Sequence, residues 1–154
     1  MNLMIYGNSG SGKTALGTIL AKYGYIHINT GHITRLMAEM DCHNLPVIVQ
    51  TMVATMDTAK NHCFDHFYMH TYEQLSVMGI QPTVIKLIDR RSNIVEQTIK
   101  RDRWEYQDPA IVSYLDKVKA NTVMVYNTDY GFDLSELIRG GYLPFTAFAM
   151  EKPQ

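Results

Sequence analysis

The sequence has little cysteine, little net charge and no long apolar run, and each absence excludes a class of protein. Two cysteines in 154 residues are too few for the disulfide framework of a small secreted domain. Lysine and arginine number 14 against 15 aspartates and glutamates, and a net charge of −1 is not that of a general nucleic-acid binder. No apolar run is long enough to cross a bilayer, and no leader segment is evident. We therefore expect one cytoplasmic domain without nucleic-acid or membrane partners, in which any anion site is formed locally.

Strand-like apolar runs alternate with segments of helical spacing along the chain. Five runs rich in apolar or β-branched residues are predicted strands, over residues 3–6, 25–29, 62–64, 83–88 and 122–126. Between them, Thr30 and Asn44 are predicted to cap two helices. The alternation predicts an α/β fold, a three-layer sandwich whose five-stranded parallel sheet has helices on both faces. In such a sheet, ligands bind outside the carboxyl ends of the strands.

One segment carries a strong phosphate-binding motif. Residues 7–14 read G-N-S-G-S-G-K-T and fit G-x-x-x-x-G-K-[ST] between a predicted strand and a predicted helix, as in P-loop NTPases. Its small residues allow backbone N–H groups to converge on a phosphate, and the following helix adds the partial positive charge of its N-terminus. The motif predicts ATP and Mg²⁺ as cofactors, with Lys13 at the β- and γ-phosphates and Thr14 coordinating the metal. The predicted nucleotide-binding residues are Gly7, Asn8, Ser9, Gly10, Ser11, Gly12, Lys13 and Thr14.

A second polar segment, HINTGHITR over residues 27–35, resembles the ISTGDMLR segment of adenylate kinases. The order of motifs over most of the chain is similar to that of nucleoside monophosphate kinases. The resemblance implies a single P-loop kinase domain over residues 1–154, with a monophosphate-binding region near residues 30–60 and a short lid near residues 100–110. It also implies acceptor-binding roles for Thr30, Gly31 and Arg35. A guanidinium suits the acceptor phosphate because its planar fork donates two hydrogen bonds.

A third segment, CFDHFYMHTYEQ over residues 63–74, resembles the LLDGFPRTxxQ segment of the same family. The resemblance implies that Asp65 orders the water shell of Mg²⁺ and that Gln74 reads the acceptor base. Three residues of the segment differ from the family: His66 replaces a glycine, Tyr68 replaces a proline, and Met69 replaces the arginine that clamps the acceptor phosphate. We expect His66 at the acceptor site and another cation in place of the missing arginine. The candidates for that cation are His70, Arg90 and Arg91.

The basic stretch KRDRWEYQDPAIVSYL, which begins at residue 100, resembles a short lid of this family. The resemblance implies that Arg101 and Arg103 are catalytic residues that stabilise the phosphoryl group during transfer. Lid closure would also exclude water from the reaction. After the last predicted strand, Asn127 lies where the family contacts the adenine ring of ATP.

These features predict transfer of the γ-phosphoryl group of Mg-ATP to a nucleoside monophosphate, by a monomer or small homo-oligomer. Two other functions stay open: a P-loop kinase of another small molecule, similar to shikimate or gluconate kinases, and a nucleotide-binding regulator with little turnover. A zinc site is a weaker interpretation, since neighbouring side chains on a strand point to opposite faces. The residues with suitable atoms are His62, Cys63, His66 and His70.

Overall fold

A mixed seven-stranded sheet forms the centre of the described part of the protein. The computed structural model describes residues 1–8, 10–57, 59–67, 69–92, 113, 116–118 and 121–153. The strands are β1 (Asn2–Tyr6), β2 (Tyr25–Ile28), β3 (Asn61–Phe64), β4 (Thr83–Asp89), β5 (Thr122–Thr128), β6 (Gly131–Asp133) and β7 (Met150–Glu151). They lie in the order β2-β3-β1-β4-β5-β6-β7.

The prediction of five parallel strands was correct for β1 to β5 but wrong for the whole sheet. The first five strands pair in parallel, whereas β6 lies antiparallel to β5 and β7 lies antiparallel to β6. A tight turn joins β5 to β6, and Thr128 closes it by accepting from Tyr130 N and donating to Gly131 O. Strands of three and two residues are too short for an alternating pattern to be recognised in the sequence.

Helices join and cover the parallel strands. Those within the described residues are α1 (Lys13–Lys22), α2 (Thr30–Glu39), α3 (Leu45–Ala54), α4 (Met69–Val77) and α5 (Ser135–Arg139). Asn44 caps α3 as predicted, accepting from Val47 N at 3.3 Å. The predicted cap of α2 was wrong by one residue, because Asn29 accepts from His32 N at 2.8 Å and Thr30 begins the helix. None of these helices has the length and apolar character of a bilayer span.

Both faces of the sheet are apolar because successive side chains on a strand point to opposite sides. Leu3 of β1 packs in one cluster with Leu16 of α1. Met4, the next residue, packs in a second cluster with Val49 of α3 and Leu75 of α4. All five side chains are fully buried. The helices on the two faces thereby hold the strand ends, and the loops that follow them, in a fixed arrangement.

His62 in β3 is a buried imidazole whose environment predicts a pH dependence of stability. It is 1% exposed, and neither ring nitrogen has a hydrogen-bond partner among the described residues. Burial is the main cause that lowers the pKa of His62, while the nearby backbone of Lys60 and the Asp57 carboxylate oppose it less strongly. Below about pH 6.5 the unfolded chain then binds a proton that the folded chain does not.

We therefore expect the free energy of unfolding to decrease as the pH falls from about 8 to about 5.5, by up to about 1.4 kcal/mol per pH unit. In His62→Leu this decrease should be smaller, because the buried titrating group is absent. Urea unfolding at both pH values measures the difference. An equal decrease in the two proteins would contradict the assignment to His62.

Candidate functional site

The candidate site lies at the carboxyl ends of the parallel strands, beside β1. Within the sheet, β2 and β3 lie on one side of β1, and β4 lies on its other side. The chain therefore crosses β1 when it passes from β3 to β4. A crevice forms where the strand order reverses in this way, and ligands of open α/β sheets bind there. The loop of residues 7–14 follows β1 directly and therefore lies at this crevice.

The loop has the backbone geometry of an anion-binding turn. Gly10 and Gly12 have φ angles of 81° and 101°, in the left-handed region that favours glycine. Between them, Ser11 N donates to Asn8 O at 3.0 Å and closes a tight turn. The Leu16 N–H donates to Gly12 O at 2.9 Å, so α1 begins where the loop ends. The loop is thus compact and joined to a helix N-terminus, as the motif predicts.

Lys13 is held against the loop that precedes it. Its Nζ donates to Gly7 O at 2.8 Å and to Asn8 O at 2.9 Å, and the residue is 8% exposed. A cavity of about 310 Å³ opens beside it. The lining residues are Gly10, Gly12, Lys13, Thr14, Ala15 and His66. The structure therefore brings the ammonium group, the helix N-terminus and one imidazole to the wall of the same cavity.

Asp65, the residue after β3, is a buried hydrogen-bond acceptor at the centre of the site. Its carboxylate is fully buried and accepts from Thr14 Oγ1 at 3.2 Å and from Thr30 N at 3.2 Å. His27 Nε2 lies 3.0 Å from the Asp65 Oδ2 atom. Burial by itself raises the pKa of Asp65, but the hydrogen bond and charge of His27, together with smaller contributions, lower it overall. The carboxylate is therefore ionised at neutral pH. It connects the loop of residues 7–14, called the phosphate loop below, to β2 and α2.

Sequence reasoning missed His27, which lies inside β2 and is separated from Asp65 by 38 positions. The available signal was a polar side chain at the penultimate position of an otherwise apolar strand. Helix α1 leaves room for the imidazole because residue 17 is glycine. A Cβ atom at Gly17 would lie 2.6 Å from His27 Nε2, which is too close for two non-bonded atoms.

This close approach predicts an unusual effect of Gly17→Ala. Within a helix this substitution normally stabilises a protein by about 0.5–1 kcal/mol. Here we expect it to lower the melting temperature, because the new methyl group displaces His27 from Asp65. In a His27→Ala background, the same substitution should become stabilising. Thermal unfolding of the four proteins tests this, and a stabilising Gly17→Ala in the presence of His27 would contradict it.

Some of the residues predicted to bind the acceptor lie at the cavity, and others lie away from it. His66 lines it, and burial followed by the charge of Lys13 lowers the pKa of this imidazole. Gly31 lies against the same ring, since a Cβ atom there would be 3.6 Å from His66 Cδ2. Thr30 is fully buried and bound to Asp65. Arg35 is exposed on α2 and Gln74 is half-buried on α4, and neither lines the cavity.

Two further predicted residues contact the phosphate loop from outside the cavity. Arg91 donates to Gly10 O at 2.8 Å and binds both carboxylate oxygens of Asp89, at 2.7 and 3.0 Å. Asn127, predicted near the adenine ring, is 3% exposed and donates from Nδ2 to Ser11 O at 2.9 Å. The described contacts of these two side chains are therefore with protein groups, namely carbonyls of the loop and, for Arg91, the Asp89 carboxylate as well.

Other predicted residues lie elsewhere. The Arg90 guanidinium lies over the Tyr126 ring, 4.9 Å from its centroid. His70 pairs with Glu73 on an exposed part of α4. No group of three or more potential metal ligands occurs among the described residues. The predicted lid and its Arg101 and Arg103, and also Ser9 of the phosphate loop, lie outside the described residues.

The comparisons with known proteins concern the fold. The chain matches no family model and no curated protein, but 48 chains of solved structures match it. One is described as a "putative kinase" from Chloroflexus aurantiacus J-10-fl, with a TM-score of 0.50 and 12% identity over 83% of this chain and 88% of that one. The two chains share one fold. A gluconokinase from Sinorhizobium meliloti 1021 matches with a TM-score of 0.45 and 14% identity over 81% of each chain.

The geometry of the loop agrees with its sequence motif. A phosphate loop after the first strand, a lysine and a threonine at the start of α1 and a carboxylate after β3 are the parts that P-loop proteins use to hold a nucleoside triphosphate. In this chain Thr14 and Asp65 meet at 3.2 Å across two elements. The motif residue Thr14 and the Asp65 carboxylate therefore lie together at the carboxyl ends of the parallel strands.

Proposed function

We propose that this protein is a P-loop kinase that transfers the γ-phosphoryl group of Mg-ATP to a small-molecule acceptor. The observation that carries the proposal is the contact between Thr14 Oγ1 and Asp65 Oδ2, at the mouth of a loop that fits G-x-x-x-x-G-K-[ST]. A hydroxyl and an ionised carboxylate this close form a hard-oxygen donor set, which suits Mg²⁺. The contact between Thr14 and Asp65 also joins the proposed ATP-binding part of the site to the end of β3.

The residues of the chain would act by positioning and by charge. The N–H groups of the loop and the N-terminus of α1 bind phosphate oxygens, and Lys13 lies close enough to turn from the loop carbonyls toward a phosphate. Bound Mg²⁺ would neutralise charge on the β- and γ-phosphates, with Thr14 and Asp65 holding it directly or through water. Arg101 and Arg103 are proposed to add positive charge at the transferred group. No covalent intermediate with the protein is needed.

A nucleoside monophosphate is the first candidate for the acceptor. The Thr30–Gly31 segment begins α2 at the site itself, because Thr30 N donates to Asp65 and Gly31 lies against His66. An acceptor held by this segment would have its phosphate near the cavity that Lys13 lines. Arg35 follows one helical turn later on α2 and supplies a guanidinium that could bind that phosphate.

A small molecule with a hydroxyl acceptor is the second candidate. Two observations favour it: Met69 begins α4 where the resemblance expects a phosphate-clamping arginine, and an imidazole, His66, lines the cavity. A phosphate monoester is already ionised and needs no base, whereas a hydroxyl must lose its proton during transfer. An imidazole is a common proton acceptor in such reactions.

The deciding experiment supplies Mg-ATP with separate acceptors and measures ADP formation that depends on the acceptor. The panel contains ribo- and deoxynucleoside monophosphates, gluconate and shikimate, and mass spectrometry identifies the phosphorylated product. We expect a nucleoside diphosphate to form, and phosphorylation of gluconate or shikimate would select the second candidate. Binding of Mg-ATP without turnover would indicate a regulator, and absence of Mg-ATP binding would refute the proposal altogether.

A further inference from the structure

We propose that Arg91 and Asn127 are positioning residues that hold the phosphate loop in its binding conformation from outside the cavity. The inference rests on the proposed role of the loop in binding Mg-ATP. Its basis is a pair of contacts to consecutive loop carbonyls. Arg91 donates to Gly10 O at 2.8 Å, and Asn127 donates to Ser11 O at 2.9 Å.

Because the peptide bond is planar, a contact to a loop carbonyl also orients the N–H group of the next residue. In a trans peptide unit, the C=O of one residue and the N–H of the next are fixed in one plane and point in opposite directions. A donor that holds Ser11 O therefore turns the Gly12 N–H away from Asn127, on a residue that lines the cavity. A donor on Gly10 O orients the Ser11 N–H, which closes the turn to Asn8 O.

Both donors are themselves anchored to the sheet. The Asp89 side chain lies at the end of β4 and is 1% exposed. Its carboxylate accepts from Nε and Nη2 of the Arg91 guanidinium in a two-point ion pair. The Asp89 carboxylate also accepts from the Arg91 backbone N–H at 3.1 Å. Asn127 belongs to β5, and its carbonyl accepts from Arg90 N at 2.7 Å. The ends of two neighbouring strands thus extend rigid donors to the loop.

Arginine is suited to this role because its planar fork can bind a carboxylate at two points and still donate to a third group. A loop with outward carbonyls held in this way keeps its conformation before the nucleotide arrives. A preformed site loses less conformational freedom on binding and therefore binds more tightly. Arg91 would act through Gly10 and would not itself contact the phosphates.

The test compares binding of Mg-ATP and of magnesium tripolyphosphate by calorimetry in Arg91→Ala, Asp89→Asn and the unmodified protein. We expect Arg91→Ala to raise both dissociation constants about tenfold, which corresponds to about 1.4 kcal/mol. Asp89→Asn decides between mechanisms. If Arg91 acts by holding the loop, loss of its anchor should weaken binding. If Arg91 contacts phosphate directly, removal of a neighbouring negative charge should leave binding unchanged or strengthen it, and the proposal fails.

Controls separate positioning from folding. Arg139→Ala removes an exposed arginine at the end of α5 and should leave both dissociation constants unchanged. The double variant Arg91→Ala/Asp89→Asn avoids leaving the Asp89 carboxylate unpaired and should still bind weakly. Hydrogen exchange at the amides of residues 10–12 should be faster in each Arg91 variant. Thermal unfolding of the same variants shows whether a loss of global stability accounts for the faster exchange. Unchanged exchange and affinity would overturn the proposal, whereas no binding by the unmodified protein would refute the proposed function as well.

Discussion

Replacing Lys13 with alanine is expected to lower kcat/KM for phosphotransfer roughly 10²–10³-fold. The substitution removes an ammonium group that is 8% exposed, lines the cavity and lies against Gly7 O and Asn8 O. The backbone N–H groups of the loop and the N-terminus of α1 remain, so some nucleotide binding should survive. Steady-state ADP formation measures the loss, and calorimetry with Mg-ATP shows how much of it is binding.

A second lysine on the same helix provides the control. The Lys22 side chain, at the end of α1, is exposed, and its Nζ lies 3.7 Å from the largely buried Glu151 carboxylate, away from the cavity that Lys13 lines. Lys22→Ala should therefore leave kcat/KM within about twofold, because Lys22 does not line the cavity. A Lys13→Ala enzyme that turns over at nearly the unmodified rate would refute the proposed mechanism.

Asp65→Asn is expected to have the second largest effect, a loss of roughly 10²-fold in rate together with reduced stability. The carboxylate accepts from Thr14, His27 and Thr30, and an amide of the same shape replaces one acceptor oxygen with a donor. A buried donor left without an acceptor costs about 1–3 kcal/mol. Urea unfolding measures the stability, and the Mg²⁺ concentration needed for half-maximal rate should rise.

The same variant should change the acid sensitivity of the fold. The pKa of Asp65 is lower in the folded protein than in the unfolded chain, where it is about 3.9. The resulting stability is fully present above about pH 4 and is lost as the pH falls through the folded-state pKa. The free energy of unfolding of Asp65→Asn should therefore fall less than that of the unmodified protein on acidification below about pH 4.

An exposed aspartate serves as the matched control for Asp65. The side chain of Asp57 is 52% exposed, and its carboxylate lies 4.0 Å from Lys60 Nζ. Asp57→Asn should leave the rate unchanged and the stability within about 0.5 kcal/mol. If Asp65→Asn behaved like Asp57→Asn, the buried carboxylate would have no special role in the site.

The phosphate loop could be predicted almost completely from the sequence. Its chemistry resides in eight consecutive residues, so the spacing of glycines, Lys13 and Thr14 is visible without knowledge of any distant contact. The five parallel strands could be predicted for a related reason. β1 and β4 are the clearest, because each is an apolar run with buried residues on both of its faces. β6 and β7 are too short for such a pattern, which is why the sheet was predicted with five strands.

The tertiary structure decided which side chains meet, because the decisive contacts join residues far apart in the chain. Thr14 and Asp65 are separated by 51 positions, Arg91 and Gly10 by 81, and Asn127 and Ser11 by 116. Such contacts depend on which strands are neighbours and on their register, and a single sequence specifies neither locally. The sequence by itself therefore determined the position and spacing of the phosphate-binding motif, from Gly7 to Thr14. The pairing of β1 with β3 and β4, and of β4 with β5, determined which carboxylate, imidazole, guanidinium and amide surround the loop, because parallel pairing brings the carboxyl ends of these strands to one edge.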